Sequence, residues 1–176
     1  MTLLDFLEKY RHCTHDGWLT CEEALLLVHY AERTQGPLVE VGSYMGRSAM
    51  LLGQLGRPLY CVDPWADGFH DTLTGDEVYR HFQENIGKVP DHKIVPTRAR
   101  VEDAEPIPAG FVYLDGDHTC DGTARQVEWA LRCGPQVIAV HDVDDKGDGR
   151  LVKESAVKLL GPWARLVDRL AVWEIT

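Results

Sequence analysis

No stretch of the 176-residue sequence approaches the roughly 18 consecutive apolar residues that a membrane-spanning helix needs. A CxxC pair is also missing. The five cysteines, Cys13, Cys21, Cys61, Cys120 and Cys133, are odd in number and irregularly spaced, which excludes a zinc knuckle or a disulfide framework and fits reduced thiols. Positive charge is in deficit: 18 Lys and Arg against 28 Asp and Glu leave a net charge of −10. That balance argues against a nucleic-acid partner, because a phosphate backbone is held by clustered basic residues, although Arg98 and Arg100 could form a local patch. The opening segment MTLLDFLEKYRH has early charges and no long apolar core, unlike a secretory signal. Internal repeats and Ser/Gly linkers are absent, so one domain of residues 1–176 is expected, soluble and cytoplasmic, with no membrane partner. With 44% hydrophobic residues the chain can build an ordinary core.

The apolar pattern alternates between strand and helix periods. Residues 20–33 (TCEEALLLVHYAER) predict a helix: Thr20 precedes Glu23 at capping-box spacing, and Ala24, Leu27, Val28 and Ala31 share a face. Gly36-Pro37 ends it, so residues 1–36 form an N-terminal helical segment and 37–176 the core. Strands are expected at 38–41, 58–62, 93–95, 111–114 and 136–140, and helices at 47–55, 75–85, 123–132 and 152–160. Residues 163–167 and 170–175 suggest a terminal hairpin around Asp168-Arg169. The continuous apolar runs FVYL and VIAV fit strands buried on both faces. The prediction is a doubly wound, mostly parallel α/β sheet with helices on both faces. In such sheets ligands bind beyond the carboxyl ends of the strands. Glu40/Gly42, Asp63, Asp115 and His141/Asp142 all fall there.

The first strand runs into Gly42-Ser43-Tyr44-Met45-Gly46, a glycine pair that permits a sharp turn near a ligand. The middle glycine of a G-x-G-x-x-G dinucleotide loop is absent, and Tyr44 fills that stretch. Alone, this loop supports only a tight turn. Asp63, about 20 residues further on at the end of the next strand, could accept hydrogen bonds from ribose hydroxyls or cap a turn before Pro64. Trp65 could stack on an adenine or pack in the core. The acidic loop at Asp144, Asp145 and Asp148 lacks the register of a calcium loop and is expected to be solvated. His12, His15, His29, His70, His81 and His92 show no ligand spacing.

Taken together, E-V-G-S-Y-M-G-R-S, C-V-D-P-W, Y-L-D-G-D-H and V-H-D-V resemble the class I S-adenosylmethionine-dependent methyltransferases. Within them the chain is similar to the small D-G-D-H group related to sugar- and antibiotic-tailoring O-methyltransferases. The likeness spans residues 17–143. It implies a Rossmann-like seven-stranded sheet of order 3-2-1-4-5-7-6, with only the seventh strand antiparallel. It also implies S-adenosylmethionine held by Glu40, Gly42, Ser43, Tyr44, Gly46, Asp63, Pro64, Trp65, Arg100 and Asp115, with Glu40 near the methionyl ammonium. His118 matches a general base. Asp115 and Asp142, with His141, match a divalent-metal site, Mg²⁺ or another ion, and Asp117 is a further candidate ligand. The implied acceptor is a small hydroxylated molecule, a sugar or secondary metabolite.

The chemistry is consistent with that assignment. A hydroxyl is a poor nucleophile until its proton is removed or a metal lowers its pKa, and a histidine can take that proton near neutral pH. His141 stands where related metal-dependent enzymes often carry a carboxylate, which makes the ligand set softer. The chain is short, so residues 66–75 are the candidate lid, and a homodimer could close the site. A nicotinamide-dependent oxidoreductase, a non-catalytic cofactor-binding module and a small metal-dependent hydrolase are the competing readings.

Overall fold

The computed structural model describes residues 2–13, 18–68 and 72–175. In chain order the elements are α1 (Leu3–His12), α2 (Cys21–Arg33), β1 (Leu38–Val41), α3 (Arg47–Gly53), β2 (Leu59–Asp63), α4 (Gly75–Ile86), β3 (Ile94–Arg98), β4 (Phe111–Leu114), α5 (Cys120–Arg132), β5 (Val137–Val140), α6 (Gly147–Leu160), β6 (Arg165–Val167) and β7 (Leu170–Glu174). The sheet order is β3-β2-β1-β4-β5-β7-β6, and β7 runs antiparallel to both of its neighbours. Fold class, strand order and the lone antiparallel strand are as expected from the sequence. Among the described residues, no helix is long and apolar enough to cross a membrane.

Period-two alternation divides the core into two layers. Leu38, Leu59, Phe111, Tyr113, Ala139 and Val172 point toward α1–α4, joining Phe6, Leu27, Leu52 and Phe82. Val39, Val62, Val112, Ile138 and Trp173 point the other way, onto Val127 and Trp129 of α5 and Val152 and Ala156 of α6. Each fully buried Leu, Val or Phe contributes about 1.5–3 kcal/mol, so the two layers dominate the stability. The helices start where the sequence supplies caps. Thr20 and Glu23 form the expected capping box of α2, and Thr74 with Glu77 forms another on α4.

The differences lie at element ends. β3 extends through Pro96 to Arg98 rather than stopping at 95, which an edge strand tolerates because one side of its ladder faces away from the sheet. α5 starts at Cys120, three residues before the apolar pattern, because the Thr119 hydroxyl accepts the Gly122 amide at 3.0 Å. α6 starts at Gly147, so part of the expected acidic loop is its first turn. Residues 69–71 of the expected lid lie outside the described residues. Around them, Gly75 N donates to Asp67 Oδ1 at 2.7 Å, and a side chain at Gly75 would collide with the Trp65 carbonyl.

Register places the site. Val41, Leu114 and Val140 are aligned across β1, β4 and β5. The ladder runs one residue further, with Asp115 N on the Val41 carbonyl and His141 N on the Leu114 carbonyl, both at 2.9 Å. Gly42, Asp115 and His141 therefore stand side by side at the carboxyl edge.

Candidate active site

A cleft of about 470 Å³ opens at this edge, lined by Gly42, Tyr44, Asp63, Arg100, Asp115 and His118 among others. That volume lies in the range of small-ligand pockets. A larger, more open depression of about 1230 Å³ lies at the opposite end, near Pro37 and Pro58. Its Arg57 is already spent on the Gly36 and Ala31 carbonyls, whereas the smaller cleft gathers Asp63, Asp115 and His118 at the strand ends.

The glycine loop is held by close strand packing. Gly42 has φ +84°, and a Cβ there would lie 2.2 Å from the Asp115 carbonyl oxygen. Gly46 caps α3 in the left-handed region, and a Cβ there would press on Phe82 at 3.0 Å. Between them Tyr44 also has positive φ, +46°. Asp63 stabilises that turn: Oδ2 accepts the Tyr44 amide at 3.0 Å and Oδ1 the Trp65 amide at 2.7 Å. Burial raises the Asp63 pKa, with the amide bonds acting against it. Each of its oxygens keeps a second lone pair for a ligand hydroxyl.

Trp65 packs among aromatics at the edge of the cleft. Its ring is 2% exposed, 4.7 Å from Tyr79 and 4.8 Å from Phe82, with Nε1 donating to the Tyr44 carbonyl. The indole packs in the core at the floor of the cleft, which Trp65 also lines. Pro64 and Arg100 line the cleft, while the neighbouring Arg98 is committed to Asp76 and the Trp65 carbonyl. Trp18, 73% exposed and 5.9 Å from the Tyr44 ring, adds an aromatic at the mouth.

Glu40 and Ser43 do not line the cleft. Glu40 is fully buried beneath it, accepting the Ser43 hydroxyl at 2.6 Å on Oε2, while Oε1 has no partner. Burial pushes its pKa up to about 7, and Asp115 adds to the rise.

The second half of the site is a cluster of charges. Asp115 Oδ2 accepts the Tyr113 hydroxyl at 3.0 Å, and its Oδ1 lies 3.2 Å from His141 Nδ1 and 3.7 Å from His118 Nε2. Asp142 Oδ2 is 3.3 Å from His118 Nε2, and Oδ1 is 2.5 Å from the Arg169 guanidinium. His141 Nε2 is 3.2 Å from Glu23 Oε2. Burial would raise the Asp115 pKa, but the two histidines override it and hold the group at about 2. Burial likewise disfavours charge on His141, yet Asp115, Asp142 and Glu23 together drive its pKa far up. Contact with Asp115 raises that of His118.

His141, expected among the metal ligands, is 2% exposed with both nitrogens turned to carboxylates. His118, expected as the base, is the imidazole that joins Asp115 and Asp142, the three offering atoms within 4.8 Å of one another. Asp117 is turned away from them, capping the Thr119 amide and hydroxyl at 2.9 and 2.7 Å.

Glu23, Tyr113, Gln126 and Arg169 were not anticipated. Glu23 reads locally as a helix cap and Tyr113 as one residue of a buried strand. Gln126 holds the D-G-D-H turn by accepting the Gly116 amide at 3.2 Å and donating to the Asp117 carbonyl at 2.8 Å. Asp115, His118, His141 and Asp142 were the members of this cluster expected from the sequence.

The family model described as a methyltransferase domain matches residues 39–143. No curated protein sequence matches the chain. Among solved structures, the TDP-rhamnose 3'-O-methyltransferase of calicheamicin biosynthesis is 16% identical with a TM-score of 0.60, covering 98% of this chain and 79% of that one. The S-adenosylhomocysteine-bound Podospora anserina methyltransferase PaMTH1 is 13% identical with a TM-score of 0.66, covering 97% and 88%. An O-methyltransferase from Bacillus cereus in complex with S-adenosylhomocysteine is 16% identical with a TM-score of 0.56, covering 90% and 77%.

Proposed function

Because the chain belongs to the methyltransferase-domain family and is a class I S-adenosylmethionine-dependent methyltransferase, we propose that it methylates a hydroxyl of a small acceptor, a sugar or secondary metabolite, with His118 as the base. The family match sets aside the oxidoreductase and hydrolase readings. The cofactor, when bound, supplies an electrophilic methyl carbon on a sulfonium. Asp63 suits its ribose hydroxyls, the loop from Gly42 to Gly46 its methionyl end, and Arg100 the neighbourhood of its base.

One observation carries the acceptor half. His118 Nε2 is shielded from solvent within the cleft wall, faces two carboxylates, and completes no hydrogen bond. In its neutral form His118 takes a proton from an acceptor hydroxyl that enters between it and the two carboxylates, and Asp115 and Asp142 stabilise the imidazolium that forms. The acceptor oxygen forms its bond to the methyl carbon, the carbon–sulfur bond breaks with its electron pair retained on sulfur, and the hydroxyl proton resides on His118 Nε2. Positioning by the rigid strand ends supplies much of the rate.

The divalent cation implied by the resemblance fits less well. Asp115, His118 and Asp142 offer three atoms, but Asp142 already holds Arg169 and Asp115 already holds His141. No step is assigned to a metal here. An acceptor screen with mass-spectrometric detection of methylated product tests the reading, using His118→Ala beside wild type. The variant is expected to lose roughly 10²–10⁴-fold in kcat. Undiminished turnover in it would remove the base assignment.

A further inference from the structure

The cluster around Asp115 and Asp142 has its own cations, and both are built into the fold. Arg169 lies in the turn between β6 and β7. Its amide donates to Glu23 Oε1 at 3.0 Å, and its carbonyl accepts the Val143 amide at 2.9 Å. The preceding Asp168 accepts the Thr20 hydroxyl at 3.0 Å. A turn fastened at these three points delivers the guanidinium to Asp142, and a guanidinium keeps its charge at every working pH.

His141 is fixed in the same way. Nδ1 faces Asp115 at 3.2 Å and Asp142 at 3.6 Å, and Nε2 faces Glu23 at 3.2 Å. With a carboxylate facing each nitrogen at these distances, the ring turns no open nitrogen toward a metal in the cleft. Of the three carboxylates, Glu23 and Asp115 face His141, and Asp142 carries the permanent positive charge of Arg169. Oxygen-rich sites for Mg²⁺ rely on carboxylates that no protein cation already neutralises.

We propose that Arg169 takes the electrostatic place of a divalent cation at Asp142, so that this enzyme transfers methyl groups without a metal. The inference rests on the reading that this cluster faces the acceptor, and Arg169 acts as a positioning residue through Asp142.

Binding of Mn²⁺ alone, followed by electron paramagnetic resonance, separates this proposal from the acceptor assignment because it needs no turnover. Wild-type protein is expected to take up no stoichiometric Mn²⁺ and, after dialysis against EDTA, to keep its turnover with or without added Mg²⁺. Arg169→Gln leaves the Asp142 carboxylate uncompensated. It is expected to lose at least roughly tenfold in kcat and to recover part of it in Mg²⁺ while binding Mn²⁺ one to one. Arg169→Lys, which keeps the charge, should remain metal-independent. One-to-one Mn²⁺ binding by wild type, or loss of its turnover in EDTA, would overturn the proposal even if Arg169→Gln fails to fold. Absence of methyl transfer to any hydroxylated acceptor, with Mn²⁺ still unbound, would instead sink only the acceptor reading.

Discussion

Glu40 sets a measurable pH dependence on stability. The perturbation is Glu40→Gln, which keeps the shape and removes the charge. In the folded chain the carboxyl is fully buried, with one oxygen on the Ser43 hydroxyl and the other without a partner. Its pKa rises from 4.5 to about 7, mainly through burial. At about 1.4 kcal/mol per pH unit this amounts to roughly 3 kcal/mol. The folded state holds the proton more tightly than the unfolded state does. The group's favourable contribution is therefore fully present below pH 4.5 and is lost as pH rises through about 7. Above that the ionised carboxylate is a constant penalty. Wild type and variant should differ little in this respect at pH 4.5, whereas by pH 8 the variant should have gained roughly 3 kcal/mol relative to wild type. Urea unfolding at several pH values, read by the fluorescence of the five tryptophans, measures that difference; other titrating groups are common to both proteins and largely cancel. A fixed offset from the new amide would shift the whole difference curve without changing its slope. A difference that stays flat with pH would refute the reasoning.

Gly42→Ala should be among the most damaging small substitutions, because its Cβ would stand 2.2 Å from a strand-end carbonyl. A loss of about 4 kcal/mol is expected, or a Tm lowered by roughly 10 °C in a thermal melt. Gly56→Ala, with no atom within 4 Å of the added Cβ, should cost only about 1 kcal/mol for its positive φ. Equal losses at the two sites would show that backbone conformation, not the β1–β4 approach, is limiting. Asp63→Ala should weaken S-adenosylhomocysteine binding by roughly 10–100-fold in calorimetric titration, through lost ribose contacts and a loosened Tyr44 turn. Unchanged affinity in a folded variant would move the ribose elsewhere.

Some of this molecule is a property of neighbouring residues and is therefore legible from sequence. The strand–helix alternation, the capping box at Thr20 and Glu23, and the strand-end positions of Gly42, Asp63, Asp115 and His141 follow from local periodicity and turn chemistry. The strand order came with the family resemblance, since no local signal orders strands in a sheet. Only the tertiary structure decided what each side chain faces. Whether an indole is buried or free depends on Tyr79 and Phe82, 14 and 17 positions beyond Trp65, and that made Trp65 a core residue. His141 looked like a metal ligand until Glu23 of α2, more than a hundred residues earlier, was found at its other nitrogen. Arg169 meets Asp142 because β7 inserts antiparallel between β5 and β6 and carries the turn before it back to the site. Charge compensation is a sum over everything within a few ångströms, and only folding brings those groups together.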